Sequence, residues 1–230
     1  MYFQHSPEIW RDFPELVPGV LIAEGIHTNF EVGPRIAAFN RLAEKRFAIG
    51  PESELPEIQA WRRAFSRMGL KPTQYRCASE SLLRRFRKEG ALPPIHPLVD
   101  LCNAISLAYA IPVAALDRSR ITGNLEVRYA SGDERYVTFS GDTEHPEPHE
   151  VIFADDAGQA HARRWTNRQS GDSAVREATS AVLIVSEAMH ASAATDVERL
   201  IASLADEVNG IWSITPQTAV LSPASPRFEF

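Results

Sequence analysis

Hydrophobic and polar positions follow two rhythms along this chain, and the change between them falls near residue 118. Upstream, "GVLIAEGI" at 19–26 is short, carries β-branched residues and is bounded by glycine, which predicts a buried strand. "GPRIAAFNRLAEKRFA" (33–48) and "SELPEIQAWRRAFSRMG" (53–69) then place apolar residues at the 3.6-residue helical period, the second with Ser53 as its expected cap and Gly69 as its stop. "PTQYRCASESLLRRFRKEG" (72–90) predicts a third helix ending at Gly90, and "ALPPIHP" (91–97) reads as extended because proline disfavours helix in the residue before it.

"IHPLVDLCNAISLAYAIPVAALD" (95–117) is the most apolar continuous stretch and predicts a fourth helix, with Pro97 in the first turn where its missing N–H costs nothing. A helix apolar nearly all round belongs inside a domain. Yet Asp100, Asn103 and Ser106 recur every third residue, on one broad face. A buried polar group without a partner costs about 1–3 kcal/mol, so the row either bonds loop backbone or lines a pocket.

Downstream the rhythm shortens to two. "GNLEVRYA" (123–130), "ERYVTFS" (134–140), "EVIFADD" (150–156), "GQAHARRW" (158–165) and "SAVLIVSEA" (180–188) predict strands, separated by turn-forming clusters. "DVERLIASLADEVN" (196–209) predicts a terminal amphipathic helix before "GIWSITPQTAVLS". The expected fold is α/β, of the α+β kind: mixed sheets or a β-sandwich flanked by helices, as one domain over 7–230. Residues 7–94 form its mainly helical layer and 95–230 its core with most strands. The opening "MYFQHS" resembles the remnant of a cleavable tag, so residues 1–6 are set aside.

Composition narrows the classes. At 230 residues and 44 % hydrophobic content the chain is able to bury a full core. No apolar run approaches the roughly 18–20 residues that cross a bilayer, and the start lacks a basic stretch followed by an apolar one. Cys77 and Cys102 form neither a disulfide framework nor a zinc spacing, so a reducing, cytoplasmic setting is expected and both thiols read as small buried hydrophobes. Charge is uneven: residues 62–88 hold nine basic side chains against the single acid Glu80, a local +8 that leaves −14 for the remainder of a chain whose total is −6. Such asymmetry offers either one local surface to a polyanion or a solvated helical face.

One further cluster carries chemistry. "RRWTNRQSGDS" (163–173) combines the guanidinium groups of Arg163, Arg164 and Arg168 with a stacking ring, Trp165, and the hydrogen-bonding side chains of Asn167, Gln169 and Ser170. Stacking plus guanidinium contacts is how single-stranded nucleotide ends are held; the same letters also suit a hydrogen-bonded turn. GxGxxG after a strand, GxxxxGK[ST], GxSxG and HExxH do not occur, and the prolines between His145 and His149 forbid a helical metal pair. Neither a cofactor nor a metal is expected.

At "MGLKPTQYRCASESLLRR", "LPPIHPLVDLCNAISLAYAIPVAALD", "HPEPHEVIFADDAG" and "RRWTNRQSGDSAVREATSAVLIVSEA" the chain resembles free-standing relatives of the B3/B4 domain of the bacterial phenylalanyl-tRNA synthetase β subunit. In the synthetase this domain is an editing site that removes a wrongly attached amino acid, notably tyrosine, from the tRNA 3′ end. The resemblance implies a pocket beside the "VDLCN" helix, with Asn103 as the family's pocket asparagine and Cys102 in place of its threonine. Two departures stand out: Ala114 occupies the position of the family's pocket histidine, and the glutamate that recognises the tyrosine hydroxyl falls near Val185, with Glu187 two residues on. Tyrosine selectivity is therefore not carried over, because a pocket without that carboxylate lacks an acceptor for the hydroxyl.

The reading that follows is a stand-alone, editing-type aminoacyl-tRNA deacylase. Asn103, Ser106 and Cys102 are its expected catalytic group. Arg164, Trp165, Asn167, Gln169, Ser170 and Glu187 would hold the acceptor end, and Arg62, Arg63, Lys71, Arg84, Arg85, Arg87 and Lys88 would meet tRNA phosphates. The alternative is a non-catalytic binder of tRNA or of an amino-acid-like metabolite. Both are read from the "VDLCN" helix and the Trp165 loop facing one hollow.

Overall fold

The computed structural model describes residues 1–48 and 50–230 and consists of two packed sheets with helices over the outer face of the smaller one. The small sheet runs β11 (Gln217–Val220), β2 (Val17–Glu24), β10 (Ala181–Ala188), β3 (Val113–Asp117), all antiparallel. The large sheet runs β12 (Arg227–Glu229), β1 (Tyr2–His5), β4 (Leu125–Tyr129), β7 (Val151–Asp155), β8 (Gln159–Arg163), β5 (Arg135–Val137), β6 (Thr143–Glu144), with β9 (Arg168–Gln169) added to β8. It is mixed, since β1 lies parallel to β4 and β5 parallel to β8. No helix among the described residues is long and apolar enough to cross a membrane.

The main core lies between the sheets, where Phe3, Val127 and Phe153 from the large one meet Val20, Leu183 and Val185 from the small one. The opposite face of the small sheet presents Leu21, Val182 and Ile184 to the helices α5 (Pro97–Tyr109) and α6 (Ala193–Trp212). Strand β10 is thus buried on both faces, which is why its sequence is a nearly unbroken apolar run, and side-chain alternation puts Leu183, Val185 and Glu187 together on the inter-sheet face. Helix α6 comes close to β2 at Gly19, where a β-carbon would meet Ile201 and Val197 at 2.5 and 2.6 Å.

Three expectations change. Residues 1–6 belong to the fold: β1 is hydrogen-bonded on both sides, Phe3 is buried, and Ser6 caps α1 (Pro7–Asp12). The apolar stretch is helical only to Tyr109; Ala110 turns left-handed at φ 57°, Pro112 follows, and 113–117 is strand β3. Helix α3 (Pro56–Arg67) starts with proline in its first turn and Ser53 does not cap it, lying instead in the short 3₁₀ turn Glu52–Glu54. Helices α2 (Gly33–Phe47) and α4 (Ala78–Glu89) form where the periodicity predicts them, although α4 begins six residues late, at Ala78, whose N–H is bonded to Thr166 O in the distant loop.

Candidate functional site

Between the sheets lies a hollow of about 70 Å³. Its floor is Val113, Ala114 and Leu116 of β3 with Val185 and Glu187 of β10; Phe153 and Ala162 face them from the large sheet, and Ala78 and residues 165–169 form the rim. Ala114 and Val185 are direct partners in the β3–β10 ladder. The space arises where alanines at 78, 114 and 162 stand among larger neighbours. A water needs about 10–15 Å³ of such volume, so the hollow takes a group of several heavy atoms.

Glu187 is the one carboxyl lining it among the described residues, and it is 2 % exposed. Its Oε1 accepts the Trp165 indole N–H at 2.8 Å and contacts His5 Nε2 at 2.6 Å, while Oε2 makes no bond to the protein. His5 Nδ1 is buried without a partner among the described residues, so Nε2 is the ring nitrogen that bonds to Glu187. Trp61 Nε1 donates to the Glu187 carbonyl oxygen at 3.2 Å, fixing the backbone as well. Glu187 lies one side-chain repeat from Val185 on the same face of β10, and both line the hollow.

The rim is a tight turn, with Arg164 and Trp165 both at positive φ and Asn167 N–H bonded to Arg164 O. Trp165 is fully buried, edge-on to Phe13 at 4.8 Å and Trp61 at 5.1 Å, so it offers no free face for a stacked base. Asn167 and Gln169 use their amide N–H groups on Arg76 O and Ala115 O, both at 2.8 Å, and leave their side-chain oxygens open. Ser170 is buried and its hydroxyl donates to Val137 O, which removes it from the site. Arg163 is buried against Glu150 and Glu144 at 2.9 and 2.6 Å and Arg168 is paired with Glu144 at 3.0 Å, whereas Arg164 lies over the Tyr75 ring at 5.0 Å with no carboxylate partner among the described residues.

The "VDLCN" helix does not reach this hollow. Asn103 lines a separate cleft of about 180 Å³ with Ile36, Asn40, Pro93, Pro94 and Asp100, which shares no residue with the first. The polar row resolves into local bonds at the two ends of the helix. Asp100 accepts Ile95 N–H at 2.9 Å, and burial raises its carboxyl above the usual range; the Ser106 hydroxyl, fully buried, donates to Ile111 O at 2.6 Å. Cys102 is enclosed and burial pushes its thiol up to about 12, which leaves no thiolate for chemistry at neutral pH. The geometry thus separates Asn103, Ser106 and Cys102 from the carboxyl-bearing hollow.

Much of the basic segment is neutralised at home. Buried Glu80 holds Arg62 at 2.5 Å and Arg76 at 3.5 Å, buried Glu52 holds Arg84 and Arg87 at 3.3 and 3.0 Å, and Arg85 pairs with Glu89 at 2.9 Å. Two arginines on one carboxylate still leave each cluster net positive, and Arg63, Lys71 and Lys88 have no ion-pair partner among the described residues. Arg62, Arg63 and Arg67 line a wide groove of about 720 Å³ with Gln59, Ser66 and Thr73. His5 and Trp61 are not legible as site residues from the sequence: His5 because it lies in the segment set aside, Trp61 because a helical aromatic looks like plain core. The signal for Glu187 was available, since residues two apart on a strand share a face.

A family model described as the B3/4 domain matches residues 60–205. The phenylalanine–tRNA ligase β subunit of Coxiella burnetii is 32 % identical over 105 residues, 46 % of this chain and 13 % of that protein. That of Mycolicibacterium paratuberculosis is 41 % identical over 79 residues, covering 34 % and 9 %, and that of Nocardia farcinica 28 % over 138 residues, covering 60 % and 16 %. The chain therefore spans a small part of the length of these relatives. An N-terminal fragment of the phenylalanyl-tRNA synthetase β-subunit from Pyrococcus horikoshii aligns with TM-score 0.48 at 8 % identity, over 93 % of this chain and 49 % of that one. With the family model spanning more than half of its residues, the chain belongs to the B3/4 domain family.

Proposed function

We propose that this protein binds the aminoacylated 3′ end of a tRNA and hydrolyses the aminoacyl ester in trans, as an editing-type deacylase acting on its own. The Glu187 hollow is its site in place of the "VDLCN" helix, which faces a separate cleft and no longer supports the activity. The observation that supports it best is the hollow itself: a small apolar enclosure with one carboxyl, Glu187, and the open side-chain oxygens of Asn167 and Gln169 at its rim, next in sequence to Arg164, which has no carboxylate partner among the described residues. The aminoacyl group would enter the hollow, Arg164 would meet the terminal phosphates, and the groove of Arg62, Arg63 and Arg67 would follow the acceptor backbone.

In the reaction, water attacks the ester carbonyl carbon, the bond to the ribose oxygen breaks, and that oxygen leaves as a hydroxyl with the proton water gives up. An aminoacyl ester is already activated, so holding it against a positioned water, aided by the neighbouring ribose hydroxyl, supplies the rate without a strong side-chain base. The test is the initial rate of ester loss from a panel of mischarged tRNAs with purified protein. Acceleration of at least one of them above the spontaneous rate is expected; no acceleration of any would refute the enzyme.

A second reading, a binder without catalysis, is favoured by one specific feature: among the described residues no serine, cysteine or histidine lines the hollow, and Ala114 stands where the resembling domain has its histidine. Salt-dependent binding of tRNA with the ester left intact would decide for it.

A further inference from the structure

Five glutamates are buried among the described residues, and four have an arginine: Glu52 with Arg84 and Arg87, Glu57 with Arg46, Glu80 with Arg62, and Glu134 with Arg128. Glu187 has none. Its two partners, the Trp165 indole N–H and His5 Nε2, share Oε1, and no arginine or lysine reaches either oxygen among the described residues. Buried charges in proteins are paired or held by ligands, because the desolvation cost of an isolated one is several kcal/mol or more. Here the oxygen left over, Oε2, belongs to a side chain that lines the hollow.

We infer that the free Oε2 takes its partner from the ligand: Glu187 is the acceptor for a primary ammonium group, with Val113, Leu116, Phe153 and Val185 covering the apolar body attached to it. Resting on the proposed reading, the ammonium is the α-amino group of the amino-acid ester. The site then recognises that an amino acid is attached more strongly than which one, and an N-blocked aminoacyl group is excluded. A hydroxyl at the tip of the side chain is the competing occupant. It would satisfy one hydrogen bond without bringing a positive charge, and a charge-assisted bond is roughly twice as strong as a neutral one.

His5 is the positioning residue of this site. It lies outside the stretch matched by the family model, and it fixes Oε1 so that Oε2 remains the free oxygen. The rings of Phe3 and Trp10, each 5.3 Å away, hold the imidazole in place, so strand β1 and helix α1 complete a site whose other walls come from the matched domain.

The Trp165 indole N–H reports on the carboxyl directly. The protein has four tryptophans, so ¹H–¹⁵N spectra hold four indole signals, and Trp165→Phe assigns the one of interest. The probes are L-valinamide, N-acetyl-L-valinamide and N-acetyl-L-tyrosinamide. The expected result is a saturable shift of the Trp165 signal with L-valinamide, weakened at least about tenfold by N-acetylation. In Glu187→Gln the preference for the free amine disappears. His5→Gln, which keeps a donor, retains it, and His5→Phe loses it with thermal stability matched to His5→Gln.

Equal binding of the acetylated probe, binding of N-acetyl-L-tyrosinamide alone, a preference that survives Glu187→Gln, or no shift with any probe would overturn the inference. The contrast between the free and acetylated probes uses the unaltered protein, so it stands even if a variant fails to fold. If L-valinamide binds as expected while no mischarged tRNA is cleaved, the ammonium site holds and the hydrolase fails; if a mischarged tRNA is cleaved with no preference for the free amine, the hydrolase holds and the ammonium site fails.

Discussion

Trp165 donates its indole N–H to Glu187 Oε1 at 2.8 Å, joining a turn at the edge of one sheet to a strand of the other through a fully buried bond. The tryptophan therefore supports the wall of the hollow and does not display a ring to solvent. Trp165→Phe should cost about 1–3 kcal/mol, from the loss of one of the two bonds to Glu187 Oε1 and the volume lost against Phe13 and Trp61. Urea denaturation measures it; a loss below a few tenths of a kcal/mol would mean that the bond is dispensable.

The N-terminal strand is expected to be indispensable. Removing residues 1–6 exposes the edges of β4 and β12 and uncovers the pocket of Phe3. Phe3→Ala alone should cost about 3–5 kcal/mol, and the truncated chain should aggregate or unfold. Far-ultraviolet circular dichroism and size-exclusion elution of the truncated chain check this, with native-like behaviour as the contrary result.

Arginines of the basic segment divide into two kinds that substitution separates. Arg84→Ala with Arg87→Ala leaves Glu52 buried and uncompensated, so a stability loss of about 3–5 kcal/mol is expected. Arg63→Glu with Lys71→Glu touches no ion pair and should leave stability within about 0.5 kcal/mol. Binding of tRNA, measured against salt, should fall for the second pair, with a shallower salt dependence.

Glu134 predicts part of the acid sensitivity. Burial pushes its carboxyl up, but the backbone N–H groups of Ser131 and Gly132 and the Arg128 guanidinium at 2.5 Å outweigh burial and hold it at about 2, against an ordinary 4.5. A carboxyl depressed by folding contributes stability that is fully present above its unfolded value and is lost as pH falls through the folded one. Thermal unfolding between pH 5 and 2 should therefore show a steep loss, and Glu134→Gln should flatten that part of the curve. An unchanged slope would contradict the assignment.

Most of the architecture was legible because the two-residue and 3.6-residue rhythms are strong here: β2, β4, β7, β8 and β10, and helices α2, α3 and α6, lie where patterning puts them. Strand β3 was hidden inside the longest apolar run, since a buried strand and a buried helix look alike until Pro112 is weighed as a stop. The polar row of α5 was legible as residues but not as roles. Bonds from Asp100 to Ile95 and from Ser106 to Ile111 depend on where the flanking loops turn, which periodicity does not encode. Glu187 was visible two residues past Val185, yet its partner His5 is 182 residues away in a segment that looked disposable.

The most direct measurement of the central claim is a crystal structure with a non-hydrolysable aminoacyl-adenosine analogue, its aminoacyl group amide-linked to the 3′ position. The account predicts that group between β3 and β10, its ammonium within hydrogen-bond distance of Glu187 Oε2 and its adenosine over the rim beside Arg164. Density for the aminoacyl group in the Asn40 and Asn103 cleft, or a hollow still empty at saturating analogue, would contradict it.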